Sequence, residues 1–215
     1  TRVEVNTISA EMAKVRDYVP DYAVMAHRGS TFWAPEETES AWRWAREMGA
    51  DYLESDLQCT KDGVILANHD DNLKRTTNIE NVYSELVPAT RKAFYMRHGM
   101  SEAEAEKLVA ADKASFRPYY AMSYMYEELL ALDAGSWFNE TSIEQARESF
   151  SEQHQYISAL EDQIRYAEGK MLARDADGER IYTVTGTWNP DKPRDCLTYK
   201  FEYVDDPQDT GNRPG

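Results

Sequence analysis

The residues whose types and spacing could do chemistry lie within 26–70. In Glu54-Ser55-Asp56 two carboxylates stand two apart on a predicted strand, so the period of two puts them on one face while Leu53 and Leu57 point to the other. Acids that share an interior repel each other unless a cation joins them. Oxygen ligands suit a hard divalent ion, Mg2+ or Ca2+, better than zinc, which recruits His or Cys. Taken alone, such a pair is more often a solvated strand face than a metal site. Two histidines shift that balance. His27 and His69 each end an apolar run, and the ends of parallel strands fall at one sheet edge, where α/β folds assemble their sites. Arg28 beside His27 adds a fork of donors suited to a phosphoryl group. His98 and His154 lie in polar, helical surroundings and are assigned to the surface.

These groups need elements to hold them. Residues 22–26 read as a buried strand ending at His27-Arg28-Gly29. Residues 38–48 read as a helix, with Ala41, Trp44, Ala45 and Met48 at helical spacing and Gly49 at its C-cap. Together they form a first βα unit. Residues 51–60 predict a second strand, Lys61-Asp62-Gly63 a tight turn, and 64–68 a third strand. A short helix is predicted over 8–17, and a helical excursion over about 72–131, with a capping box at Ser101 and Glu104. A second box, Thr141 to Glu144, predicts a long amphipathic helix through Phe150, Ile157, Leu160, Ile164 and Ala167. Its short, interrupted seam favours packing on its own domain over an oligomeric coiled coil. Asp177-Gly178 signals a hairpin between 171–174 and 180–187, and Leu197, Tyr199, Phe201 and Tyr203 alternate as the aromatic face of another strand. Residues 205–215 read as a loop.

The chain has 215 residues, room for one large domain with a buried core. Its net charge of -15 disfavours a general binder of nucleic acid or anionic membrane. Any anionic substrate must therefore meet a local cation. A hydrophobic fraction of 41% with 12% aromatics is too apolar for a disordered chain, despite a mean hydropathy of -0.73. Two cysteines, Cys59 and Cys196, make no disulfide framework, and no stretch reaches the roughly 18 apolar residues of a membrane span.

The segments His27-Arg28-Gly29, Ala34-Pro35-Glu36-Glu37-Thr38, 49–56, 60–63, His69-Asp70, Leu73 and Arg75-Thr76-Thr77 resemble, in order and spacing, the glycerophosphodiester phosphodiesterase family. Residues 132–138 resemble a later segment of the same family. The resemblance implies an α/β fold, a (β/α)8 TIM barrel, and metal-dependent hydrolysis of a small-molecule glycerophosphodiester to an alcohol and glycerol phosphate. Carried over residue by residue, it makes His27 the general base, His69 the general acid, Arg28 a phosphate-binding residue, and Glu54 and Asp56 two metal ligands.

Two departures stand out. Glu37 occupies the place of the family's usual Asn, so a contact near the site is altered or lost to solvent. The third metal ligand, a Glu in a Glu-x-Lys strand, has no match in 139–215. Only three barrel strands are legible, so the barrel is expected to be incomplete and the chain to be the N-terminal portion of a longer protein. On this reading 1–138 is barrel with its excursion, 139–205 an inserted helix and hairpin module, and 206–215 a linker. A catalytically silent binding module and a phospholipase D-type lipid phosphodiesterase are the alternatives. The start at Thr1 and the family analogy point to a periplasmic or extracytoplasmic location, with the cytoplasm as alternative. The oligomeric state is left open.

Overall fold

The structure is a computed structural model that describes residues 22–211; the helix predicted over 8–17 and the end of the tail lie outside them. Strand β1 (Met25–His27) leads through helix α1 (Glu39–Glu47) to β2 (Tyr52–Glu54), and β1 and β2 pair in parallel with His27 opposite Glu54. The predicted βα unit thus closes as βαβ. Helix α1 buries Ala41, Trp42, Ala45 and Arg46, with Glu39 in its first turn and Arg46 in its last, both favourable to the helix dipole. Trp44 and Met48, predicted for the same stripe, lie partly or largely in solvent. Gly49 has φ +85° after the last turn, the left-handed conformation that ends helices on glycine.

The predicted second strand divides. After Glu54 the chain leaves the parallel ladder, and β3 (Leu57–Cys59) pairs antiparallel with β4 (Ile65–Ala67). β4 is therefore not a third parallel strand. The cause is the turn itself. Thr60 Oγ1 donates to Asp62 at 2.6 Å and accepts from the Val64 N–H at 2.9 Å, while Gly63 (φ +94°) lies against the Arg194 backbone, where a Cβ would come within 2.4 Å of the carbonyl oxygen. This hairpin brings the chain back: Asn68 donates its N–H to the Asp56 carbonyl, so His69 returns to the acidic pair from the opposite direction.

The excursion is helical, with α2 (Ile79–Val82), α3 (Arg91–Arg97), α4 (Glu102–Ser115) and α5 (Tyr126–Leu129), and the Ser101 and Glu104 capping box forms on α4. The single long helix predicted downstream does not form. In its place are α6 (Ser136–Thr141), a 3-10 turn at Ile143–Gln145, α7 (Ser149–Glu152), an extended stretch and α8 (Leu160–Ala167). Thr141 turns its hydroxyl back to the Trp137 carbonyl rather than capping a new helix. The extended stretch accepts N–H bonds from Ala134 and Ala67 and buries Tyr156, Ile157 and Ala159, so tertiary pairing overrides helical periodicity there.

The Asp177-Gly178 turn forms, with Arg174 bridging to Arg180, but its arms then part. β5 (Lys170–Leu172) pairs with β8 (Tyr203–Asp205), and β6 (Tyr182–Gly186) with β7 (Leu197–Phe201), so the predicted aromatic strand is split at Glu202. Tyr199 and Phe201 pack edge-on against Tyr126, while Tyr203 reaches Asp162 from the other sheet. Among the described residues the strands form four two-stranded sheets in a mixed α/β fold, with no closed barrel.

One aromatic cluster joins Trp42 of α1 to Tyr166 of α8 and to Tyr156, and a larger one packs Leu66, Leu73 and Ile79 with Tyr119, Tyr124 and Tyr126. His98 is not on the surface. It is buried against Phe94, near Trp188, because the α3 C-terminus docks on 186–188. His154 is half-buried, stacked on Tyr156 with Nε2 2.8 Å from the Leu132 carbonyl. No helix of the described residues is long and apolar enough to cross a membrane.

Candidate active site

His27 ends β1 directly opposite Glu54, the last residue of β2. The backbone then turns sharply: Arg28 has φ +55°, Gly29 φ +85°, and a Cβ on Gly29 would meet the Ala41 backbone at 2.9 Å. The turn aims the Arg28 N–H at Glu54 Oε2 (3.1 Å) and sets its Nε on Asp56 Oδ2 (3.0 Å). One donor atom from each of His27, Glu54 and Asp56 lies within 4.8 Å of the others. Two carboxylates and an imidazole in that span fit a divalent cation, and the oxygen pair favours a hard one.

Glu37 is not lost to solvent. It is buried in a left-handed conformation (φ +56°), and its Oε1 accepts the Asp56 N–H at 2.7 Å. Its own N–H donates to the Arg28 carbonyl, so one residue ties both sides of the acidic cluster. Burial pushes its carboxyl up to about 7, partly opposed by the Asp56 N–H.

His69 stands outside the cluster of donor atoms. Its side chain is exposed, with Nδ1 2.5 Å from Asp70 Oδ1. Asp70 Oδ2 accepts from Arg75 Nε at 2.6 Å, and this guanidinium holds the carboxyl below its ordinary range. The other arm of Arg75 grips Glu36 with two bonds, of 2.7 and 3.1 Å, and Glu36 in turn accepts from Arg28 Nη1 at 3.4 Å. The loop carrying these groups is anchored by buried Leu73 and by the Thr77 hydroxyl, which donates to the Leu73 carbonyl.

The structure therefore brings His27, Arg28, Glu54 and Asp56 together and connects His69 to them through Asp70, Arg75, Glu36 and Arg28. Sequence reasoning gave no role to Glu36, Asp70 or Arg75. Their signal was present, since all three lie inside the motifs, but their pairing depends on a contact across 39 positions.

The model of the glycerophosphoryl diester phosphodiesterase family matches residues 27–192, from His27 itself to beyond β6. The chain belongs to this family. Over 126 residues it is 31% identical to a glycerophosphodiester phosphodiesterase of Bacillus subtilis, taking in 59% of this chain and 30% of that one. Over 160 residues it is 28% identical to the glycerophosphoinositol inositolphosphodiesterase of Mus musculus, with 72% and 24% covered. The chain spans less than a third of the length of these curated family members. Among solved structures it is similar to a glycerophosphodiester phosphodiesterase of Agrobacterium tumefaciens (25% identity, TM-score 0.41, 68% of this chain and 43% of that one). It is also similar to an Oleispira antarctica phosphodiesterase solved with sn-glycerol-3-phosphate (24%, TM-score 0.43, 74% and 44%).

Proposed function

We propose that this protein hydrolyses glycerophosphodiesters to an alcohol and glycerol phosphate, with one divalent cation, Mg2+ or Ca2+, and a pair of histidines. The observation that carries this reading is the convergence of His27, Glu54 and Asp56 beside Arg28 in a chain of this family. Glu54 and Asp56 would hold the cation, with His27 within reach. When bound, the cation supplies positive charge to the phosphate oxygens and stabilises the charge that builds up on them.

The remaining work falls to side chains. Arg28 already makes charge-assisted bonds to Asp56 and Glu36, and exchanging one of these carboxylates for a phosphate oxygen keeps a bond of the same kind. His27 takes the proton of the attacking water as its oxygen bonds to phosphorus. His69, with Nδ1 on Asp70, presents Nε2 to the leaving oxygen and gives it a proton as that bond breaks. Asp70 compensates the charge of the imidazolium that donates.

The test is hydrolysis of a glycerophosphodiester by the purified protein after EDTA treatment, with Mg2+ or Ca2+ restored. Turnover is expected to depend on the added cation and to fall by about 10²–10⁴-fold in His69→Ala. Turnover that survives both chelation and His69→Ala overturns the mechanism; binding of the diester without turnover, with the cation present, points to the silent binding module.

A further inference from the structure

Arg75 lies about twenty positions beyond the acidic pair, touches none of the cluster's donor atoms, and yet closes a run of side-chain-to-side-chain contacts that joins His69 to Arg28 through Asp70 and Glu36. We propose that Arg75 is a positioning residue, whose single guanidinium fixes Asp70 behind His69 and takes the two shorter bonds of Glu36, leaving Arg28 only a long one. This inference rests on the phosphodiesterase reading of the site.

Start with His69. Its imidazole is exposed, and among the described residues Asp70 is the ring's hydrogen-bond partner. Asp70 is itself on a short loop and would be free to turn. Arg75 Nε, at 2.6 Å from Oδ2, leaves Oδ1 facing the ring. Asp70 stays ionised, because the guanidinium holds its carboxyl below the ordinary range, and an ionised carboxylate only accepts hydrogen bonds. The Nδ1 of His69 must then carry the hydrogen, which leaves Nε2 as the nitrogen that faces the reaction. A rigid fork can hold this geometry where a flexible point charge cannot.

The second arm concerns Glu36, whose carboxylate is mostly buried and takes two bonds from Arg75 against one, at 3.4 Å, from Arg28. Without Arg75 the charge of Glu36 would have Arg28 as its nearest cation. Arg28 would then be drawn from Asp56 and from any phosphate it should bind. Arg75 thus acts on the two proposed functions separately: proton donation through Asp70, phosphate binding through Glu36.

The test uses Arg75→Met, which keeps bulk without charge, and Arg75→Lys, which can hold one carboxylate but not both. Arg75 is substantially exposed, so neither change threatens the core. The first readout is 15N NMR of the His69 ring in the cation-free protein at a pH where it is neutral. The Nδ1–H form is expected to dominate in the parent and to give way to a mixture in Arg75→Met and Asp70→Asn. The second is steady-state kinetics: kcat falling 10–100-fold and KM rising in Arg75→Met, with Arg75→Lys recovering kcat more than KM or the reverse, but not both. An unchanged His69 tautomer in Arg75→Met overturns the inference whatever the activity. So does unchanged kcat and KM when His69→Ala abolishes turnover. Full turnover in His69→Ala would instead sink the phosphodiesterase mechanism, and the NMR result would still decide the role of Arg75.

Discussion

At the scale of single residues, Glu37 shows how a departure from a family pattern can be absorbed. Its place in a left-handed turn suits Asn better than Glu, yet the longer side chain reaches the Asp56 N–H and fills a buried position. Glu37→Ala should leave that N–H unpaired and loosen the loop that carries Asp56, costing about 1–3 kcal/mol. Glu37→Gln keeps an acceptor and should stay close to the parent. Thermal melting and calorimetric Mg2+ titration check both, and an Ala variant that melts and binds like the parent would contradict this role. His27 was legible in the sequence because it ends a short apolar run, Arg28 because it stands beside it, and Glu54 and Asp56 because two carboxylates two apart draw notice wherever the strand ends. Glu36, Asp70 and Arg75 were not, because their roles depend on which partner folds across from them.

At the scale of elements, local signals succeeded where nothing longer-ranged competed with them. The Ser101 box starts α4, and the Gly49 and Gly63 turns form where the sequence put them. The long helix failed because its middle found edge partners at Ala67 and Ala134, and the third parallel strand failed because a well-made turn reversed it. The α3 junction carries a prediction of its own. His98 lies buried against Phe94 and Trp188, with Glu127 3.9 Å from its Nε2 and Arg97 beside it. Burial lowers its pKa more than Glu127 raises it. The folded state therefore prefers the neutral ring. Its stabilising contribution is complete above the unfolded value of about 6.5 and is lost as pH falls through that value and below. Amide-exchange protection over 94–100 and 186–188, taken relative to the intrinsic rate at each pH, should fall between about pH 7 and 5, and His98→Gln should flatten that dependence; an equal fall in the variant would assign it to another group.

At the scale of the whole molecule, a net charge of -15 makes every arginine that bridges distant segments count. Asp206, just after β8, accepts two bonds from Arg43 (2.6 and 2.7 Å) and one from Arg46 (2.6 Å), and its side chain is wholly buried. Both arginines stand on α1, so this carboxylate ties the end of the described chain to the helix between β1 and β2. The two guanidinia hold its carboxyl far below the ordinary range, although burial alone would raise it. Its contribution is therefore present above the unfolded value of about 3.9 and is lost as pH falls below it. Asp206→Ala leaves Arg46 buried with one fewer acid, and breaking such a pair from one side costs about 3–5 kcal/mol. For a domain of this size the Tm should fall by roughly 10 °C. Arg43→Met alone should cost less, since Arg46 still holds the carboxylate. Because the two share one acceptor, the Arg43→Met, Asp206→Ala double variant should lose less than the sum of the singles. Strict additivity in that cycle would mean that Asp206 and Arg43 act independently, and that the hold of Asp206 on α1 runs through Arg46.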